Sequence, residues 1–170
     1  DKDTIFNPTS HSYFNLNPKD ISILKHKLKI NSDNYIPVNN ECLPDGSIES
    51  VIDTPFDFSC EKEIGKEIKS ENKQIKIGNG YDHCFVLNKN NSSTKISEEK
   101  SGRKVIITTD QPGIQLYSGN HLKGNFMKNQ GVCLETQHFP DSPNNLNFPT
   151  TLLKANKEFY SKTSYSFGLI

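Results

Sequence analysis

The sequence predicts an all-β protein built as an antiparallel β-sandwich, and three observations carry that expectation. Ten glycines and nine prolines break the 170 residues into short segments, which favours strands linked by turns over long helices. Apolar residues recur with a period of two: Leu24, His26, Leu28 and Ile30 fall on one face, and Lys25, Lys27 and Lys29 on the other, as in a half-buried strand. Strand-like segments also recur at short intervals along the chain, the pattern of a sandwich or barrel. The length suits one domain with a sizeable core.

Taken in order, residues 3–16 read as extended chain with a turn at Asn7-Pro8. Residues 21–30 end in the alternation just described, and residues 35–38 continue extended. Pro44-Asp45-Gly46 is a turn signature, with proline presetting φ and glycine taking the left-handed position. Residues 47–52 alternate again, and residues 61–69 are the one short helix expected. Further strands are expected at 81–87, 105–109, 114–117, 132–136 and 163–167. The polar, low-complexity stretch 88–102 reads as a long hairpin loop or insertion.

Composition excludes several functions. Twenty basic and twenty acidic residues cancel, so there is no basic field for nucleic acid. Arg103 is the single arginine, which disfavours a phosphate clamp. The cysteines Cys42, Cys60, Cys84 and Cys133 form no C-x-x-C pair and read as buried reduced thiols; a zinc site using His83 or His138 is the minor alternative. Asn90 and Asn91 open formal N-x-S sequons that mark a polar loop. No segment approaches transmembrane length and no signal peptide is visible, so the expected location is cytoplasmic.

Four polar clusters stand out: H-S-Y-F-N-L from His11; G-Y-D-H-C-F, with Asp82 and His83; Q-P-G-I-Q-L-Y-S-G-N from Gln111; and G-V-C-L-E-T-Q-H-F-P-D-S-P-N from Gly131. Period-two reasoning puts Gly131, Cys133 and Glu135 on one face, opposite Val132, Leu134 and Thr136. It places Gly113, Gln115 and Tyr117 together, and likewise His11, Tyr13 and Asn15. A carboxylate held mid-strand beside a glycine and a cysteine is partly desolvated, which raises its pKa toward working pH. An imidazole on a facing strand then complements it as a proton donor. Each residue also has a plainer reading. Glu135 fits a surface glutamate of an alternating strand, His11 a turn histidine bonded to backbone, and Asp82 a turn residue after Gly80. His26, His83, His121 and His138 have no spacing that demands function and read as structural or surface.

Together, and in this order, the four clusters resemble the galactose mutarotase (aldose 1-epimerase) family, over nearly the whole chain. The resemblance implies a mutarotase-like supersandwich and interconversion of the α and β anomers of free aldoses such as glucose and galactose, without cofactor or metal. It assigns Glu135 as the general base at the C1 hydroxyl and His11 as the general acid at the ring oxygen. Asp82 and Gln115 become the residues that bind sugar hydroxyls. Family members are considerably longer, and the chain matches only their C-terminal half. The expectation is therefore one incomplete sandwich domain over 1–170, partnered by an N-terminal segment that supplies an arginine and a second histidine. Arg103 does not match that arginine. Unpaired strand edges follow from the missing half. Two other functions compete: a carbohydrate-binding sandwich without turnover, and a glycoside hydrolase using Asp82 and Glu135, which needs carboxylates about 5–5.5 Å or 6.5–9.5 Å apart and gives His11 no role.

Overall fold

The computed structural model describes residues 1–89 and 93–170. Its strands are β1 (Thr4–Ile5), β2 (Tyr13–Phe14), β3 (Lys27–Ile30), β4 (Asn34–Ile36), β5 (Glu49–Ser50), β6 (Lys62–Glu63), β7 (Asp82–Val86), β8 (Ser93–Glu98), β9 (Arg103–Thr109), β10 (Gly113–Tyr117), β11 (Val132–Gln137), β12 (Leu152–Leu153) and β13 (Thr163–Leu169). Among the described residues, β2-β11-β10-β7-β4-β5 form a six-stranded sheet and β13-β9-β8-β3-β6 a five-stranded one, while β1 pairs with β12. The pairings are antiparallel. The expected all-β antiparallel sandwich is what the chain forms.

The core lies between the two sheets. Leu28, Ile30, Ile96, Val105 and Ile107 point in from the five-stranded sheet, and Tyr35, Phe85, Ile114, Leu116, Val132 and Leu134 from the six-stranded one. Phe56, Phe58 and Tyr81 fill the space between, with the Phe56 ring stacked on Tyr35 at 4.2 Å. Fully burying an aromatic or branched aliphatic side chain contributes about 1.5–3 kcal/mol. This layer is therefore what fixes the register, since a one-residue slip would turn each strand's apolar set outward. The other face of the six-stranded sheet is thereby free to carry polar groups.

Three sequence expectations are corrected. Residues 61–69 do not form the helix. They give β6 and a single 3-10 turn, Ile64–Lys66, because the Ile64 and Gly65 amides bond to the His26 and Leu24 carbonyls instead of to their own turn. The α-helix is α1, Lys73–Gly78. Asn72 caps its start by accepting from the Gln74 and Ile75 amides, and Asn79 ends it in the left-handed conformation. Residues 88–102 are not a loop throughout: β8 runs through them as an inner strand of the five-stranded sheet, with Thr94 and Ile96 buried. Its alternation is carried by threonine and serine as much as by isoleucine, so hydrophobic periodicity understates it. Asn90 and Asn91, the sequon positions, lie outside the described residues. Cys84 and Cys133 are buried, as expected of all four cysteines, but Cys42 and Cys60 are exposed.

The sequence's half-buried strand at 21–30 is regular only over β3. His26 is nevertheless buried on the predicted face, where its Nε2 accepts the Leu16 amide at 2.8 Å. Arg103 starts β9 and donates to the Leu16 carbonyl at 3.2 Å. Among the described residues no helix is long and apolar enough to cross a membrane.

Candidate active site

Strand register assembles the site on the outer face of the six-stranded sheet. Cross-strand partners share a face. Asp82 opposes Tyr117, Tyr117 opposes Cys133, and Cys133 opposes Tyr13, which makes one row across four strands. Cys84, Gln115 and Glu135 make the next. Asp82, Gln115 and Glu135, expected from separate motifs, thus come together on β7, β10 and β11. The faces predicted for the β10 and β11 clusters are those observed.

His11 reaches this floor from the segment before β2, which side chains fasten to β11. Asn7 Nδ2 donates to the His138 carbonyl at 3.1 Å and Asn7 Oδ1 accepts the His138 amide at 2.9 Å. Thr9 Oγ1 donates to the Thr136 carbonyl at 3.0 Å. On the other side of His11, β2 pairs with β11 through Tyr13 and Cys133. The imidazole is thereby set over Cys133 and Glu135, with Nδ1 3.3 Å from the Cys133 sulfur and Nε2 3.6 Å from Glu135 Oε1. Its ring also tilts against Tyr13, with centroids 5.1 Å apart.

Asp82 is positioned by the turn before it. Ser118 Oγ accepts the Tyr81 amide at 3.0 Å, and Asn120 Nδ2 donates to the carbonyls of Gly78 and Tyr81 at 2.8 and 2.9 Å. Gly80 sits at φ 132° against the Asn120 amide, a backbone conformation and a closeness that no side chain would accept. The S-G-N end of the third cluster is therefore a clamp for the start of β7. Asp82 Oδ1 then accepts from Gln115 Nε2 at 2.8 Å, which leaves the buried Gln115 Oε1 without a partner. A buried acceptor without a partner costs free energy, so this amide is held in place by its bond to Asp82.

Burial sets the electrostatics. The side chain of Glu135 is 10% exposed and that of His11 55%. Desolvation raises Glu135 above the ordinary glutamate value of 4.5; His11 opposes this and the Asp82 charge adds to it. Desolvation raises Asp82 as well, against the Gln115 hydrogen bond. Burial, reinforced by the Glu135 charge, pushes the Cys133 thiol up to about 12, so it is neutral near pH 7. Burial likewise pushes Tyr13 up to about 12.

His11, Tyr13, Asp82, Gln115 and Glu135 line an open cleft of about 430 Å³ together with Tyr117, His121, Gln137 and Pro140. His121 was expected to be structural or surface, yet it borders the cleft, its ring stacked on Tyr117 at 6.5 Å. It follows a turn rather than a strand, so no alternation marked it. His83 is structural, as expected: its Nδ1 accepts the Asp82 amide and its Nε2 faces Gln74 Oε1 at 3.0 Å. His138 bonds to Gln111, and neither it nor His83 joins a group of potential metal ligands among the described residues. A second groove, of about 370 Å³, shares Tyr13 but is lined largely by Phe14, Pro18, Ile21, Leu122 and Phe126. Its one carboxylate, Asp20, accepts the Ser22 amide.

The β-sandwich thus gathers a histidine, two carboxylates and an amide on one outer sheet face, side chains able to exchange protons with one another and with a bound molecule. Comparison with known proteins gives the family. The aldose 1-epimerase family model matches residues 1–166. Galactose mutarotase of Bos taurus is 35% identical over 98% of this chain, and aldose 1-epimerase of Escherichia coli K12 is 36% identical over 98%. The solved galactose 1-epimerase of Lactobacillus acidophilus superposes with a TM-score of 0.83 at 34% identity, covering 99% of this chain and 50% of that one. An aldose epimerase homologue from C. elegans superposes with a TM-score of 0.89 at 26% identity, covering 100% of this chain and 53% of that one. The chain belongs to the aldose 1-epimerase family. It spans about half the length of the curated relatives it matches, 51% of the bovine and 52% of the E. coli protein.

Proposed function

We propose that this chain carries the proton-transfer centre of an aldose 1-epimerase that interconverts the α and β anomers of free hexoses such as glucose and galactose. The observation that supports this most is the approach of His11 Nε2 to Glu135 Oε1, 3.6 Å, beside Asp82 and Gln115. The two oxygens that exchange protons in anomerisation, the C1 hydroxyl and the ring oxygen, are bonded to the same carbon. A base and an acid that serve them must therefore be neighbours.

Glu135 is the base and takes the proton of the C1 hydroxyl. His11 is the acid and gives a proton to the ring oxygen as the C1–O5 bond breaks, leaving an open-chain aldehyde. Rotation about C1–C2 presents the other carbonyl face. The protons then return, His11 accepting and Glu135 donating, and the ring closes as the other anomer. With the ring protonated, His11 Nδ1–H donates to the Cys133 sulfur, and the second proton sits on Nε2, the nitrogen facing Glu135, so that giving it up leaves a neutral imidazole. Asp82 and Gln115, which line the cleft, hold hydroxyls of the sugar and keep C1 between acid and base.

We further propose that an N-terminal segment of the same enzyme completes the site. The edge strands β2 and β13 lie along one flank of the sandwich, joined by the Phe14–Tyr165 ring contact at 6.0 Å, and the Thr136–Thr163 hydroxyl pair at 2.7 Å ties β13 to the neighbouring β11. That flank adjoins His11, and a segment extending both sheets there would wall the cleft. Calorimetry with galactose, paired with polarimetry of freshly dissolved α-galactose, tests the functional reading. Binding with accelerated mutarotation is expected; binding without it identifies a carbohydrate-binding sandwich instead.

A further inference from the structure

The cluster that positions His11 holds three metal-ligand types at once. His11, Cys133 and Glu135 each offer one ligand atom, and these atoms all lie within 4.8 Å of one another. We propose that the three side chains form a binding site for a soft divalent cation of the zinc type, and that its occupancy excludes the sugar. The exclusion rests on the reading of His11 and Glu135 under Proposed function; the binding does not.

Geometry carries the argument. Zinc holds nitrogen, oxygen and sulfur at about 2.0–2.3 Å, which in a tetrahedron separates ligand atoms by roughly 3.3–3.8 Å. The Cys133 sulfur and His11 Nδ1 are already 3.3 Å apart. Cys133 and Glu135 are fixed by β11 two residues apart on one face, and both are buried. His11 is half exposed on the segment before β2, so its ring is free to turn toward an ion between the other two. The fourth position opens on the cleft, as in zinc sites that keep one place for water. Tyr13, the cross-strand neighbour of Cys133, packs beside the His11 ring, with centroids 5.1 Å apart.

The donor set gives the selectivity. Thiolate with imidazole and carboxylate suits Zn²⁺ and Cd²⁺, whereas Mg²⁺ and Ca²⁺ require oxygen. The thiol is protonated in the free protein, so the ion displaces its proton to the buffer as the metal–sulfur bond forms. An ion so held takes the Glu135 and His11 lone pairs that the sugar reaction needs. It therefore acts as an inhibitor at this site and plays no part in turnover.

The test uses the full chain carrying Cys42→Ser and Cys60→Ser, which removes the two exposed thiols. Titration with Cd²⁺ is followed by the ultraviolet thiolate-to-cadmium absorption, and by calorimetry in buffers of different ionisation enthalpy. One Cd²⁺ per chain is expected, with proton release and no response to Mg²⁺. Adding Cys133→Ser abolishes the absorption. The exposed variant His11→Ala, which leaves the core untouched, weakens binding by roughly tenfold or more, the scale lost even with an outer-sphere partner. Absence of the absorption, or its persistence after Cys133→Ser, overturns the site. Galactose at saturation is expected to lower the Cd²⁺ affinity; an unchanged affinity overturns the exclusion while the cation site stands, and polarimetry of the same sample reports separately whether the mutarotase reading fails.

Discussion

At the scale of single residues, Glu135 bears the largest chemical demand in the proposed reaction, because a base must be ionised to act. Its carboxyl is held above the ordinary value of 4.5, first by desolvation and then by the charge of Asp82, with His11 opposing. Lowering the pH through that raised value protonates Glu135 and removes the base. The acid limb of kcat/KM for mutarotation is therefore predicted above pH 4.5, in a pH series of polarimetric rates; a limb at or below that value would show that another group limits the rate. The four side chains expected from sequence, His11, Asp82, Gln115 and Glu135, do line one cleft, because alternation on β10 and β11 determines which residues share a face. Tyr13 and Tyr117 were given faces but no role, and their part in the cleft depends on cross-strand pairing that a linear sequence does not display.

At the scale of elements, α1 and β7 are held together by a buried network that links Asp82 to the fold. His83 is fully buried, and its Nε2 meets Gln74 Oε1, which also accepts the Val38 amide. Burial lowers His83 to about 3 from 6.5. Below pH 6.5 the unfolded chain binds this proton and the folded chain does not until about pH 3. His83 therefore contributes stability above pH 6.5 that is lost as pH falls, at about 1.4 kcal/mol per pH unit. In urea unfolding, the stability advantage of the native protein over His83→Gln is expected to narrow at that rate as pH drops from about 6 to 4. A constant difference would place His83 in a solvated setting. Element boundaries were less legible than element types. The helix moved from 61–69 to Lys73–Gly78 because the Asn72 cap and the Asn79-Gly80 stop outweigh charge patterning, and β8 was hidden by its polar composition.

At the scale of the whole molecule, the two sheets are completed unequally. β13 is an edge strand that leaves Phe167 and Leu169 each 72% exposed. An exposed, apolar edge is a template for pairing with another chain. The 170-residue polypeptide prepared alone is predicted to associate through this edge. Replacing both Phe167 and Leu169 with lysine should return it to the 19.2 kDa monomer in light scattering; unchanged association would move the sticky surface elsewhere.

In the proposed reaction His11 and Glu135 together open a sugar ring. The most direct measurement is the decay of optical rotation of freshly dissolved α-galactose, with the protein joined to its N-terminal segment where one exists, compared with its Glu135→Gln and His11→Asn variants. Catalysed decay is expected in the native protein, with a loss of roughly a hundredfold or more in each variant, the scale of a general acid or base. A Glu135→Gln variant that keeps the full rate would contradict the proposed reaction.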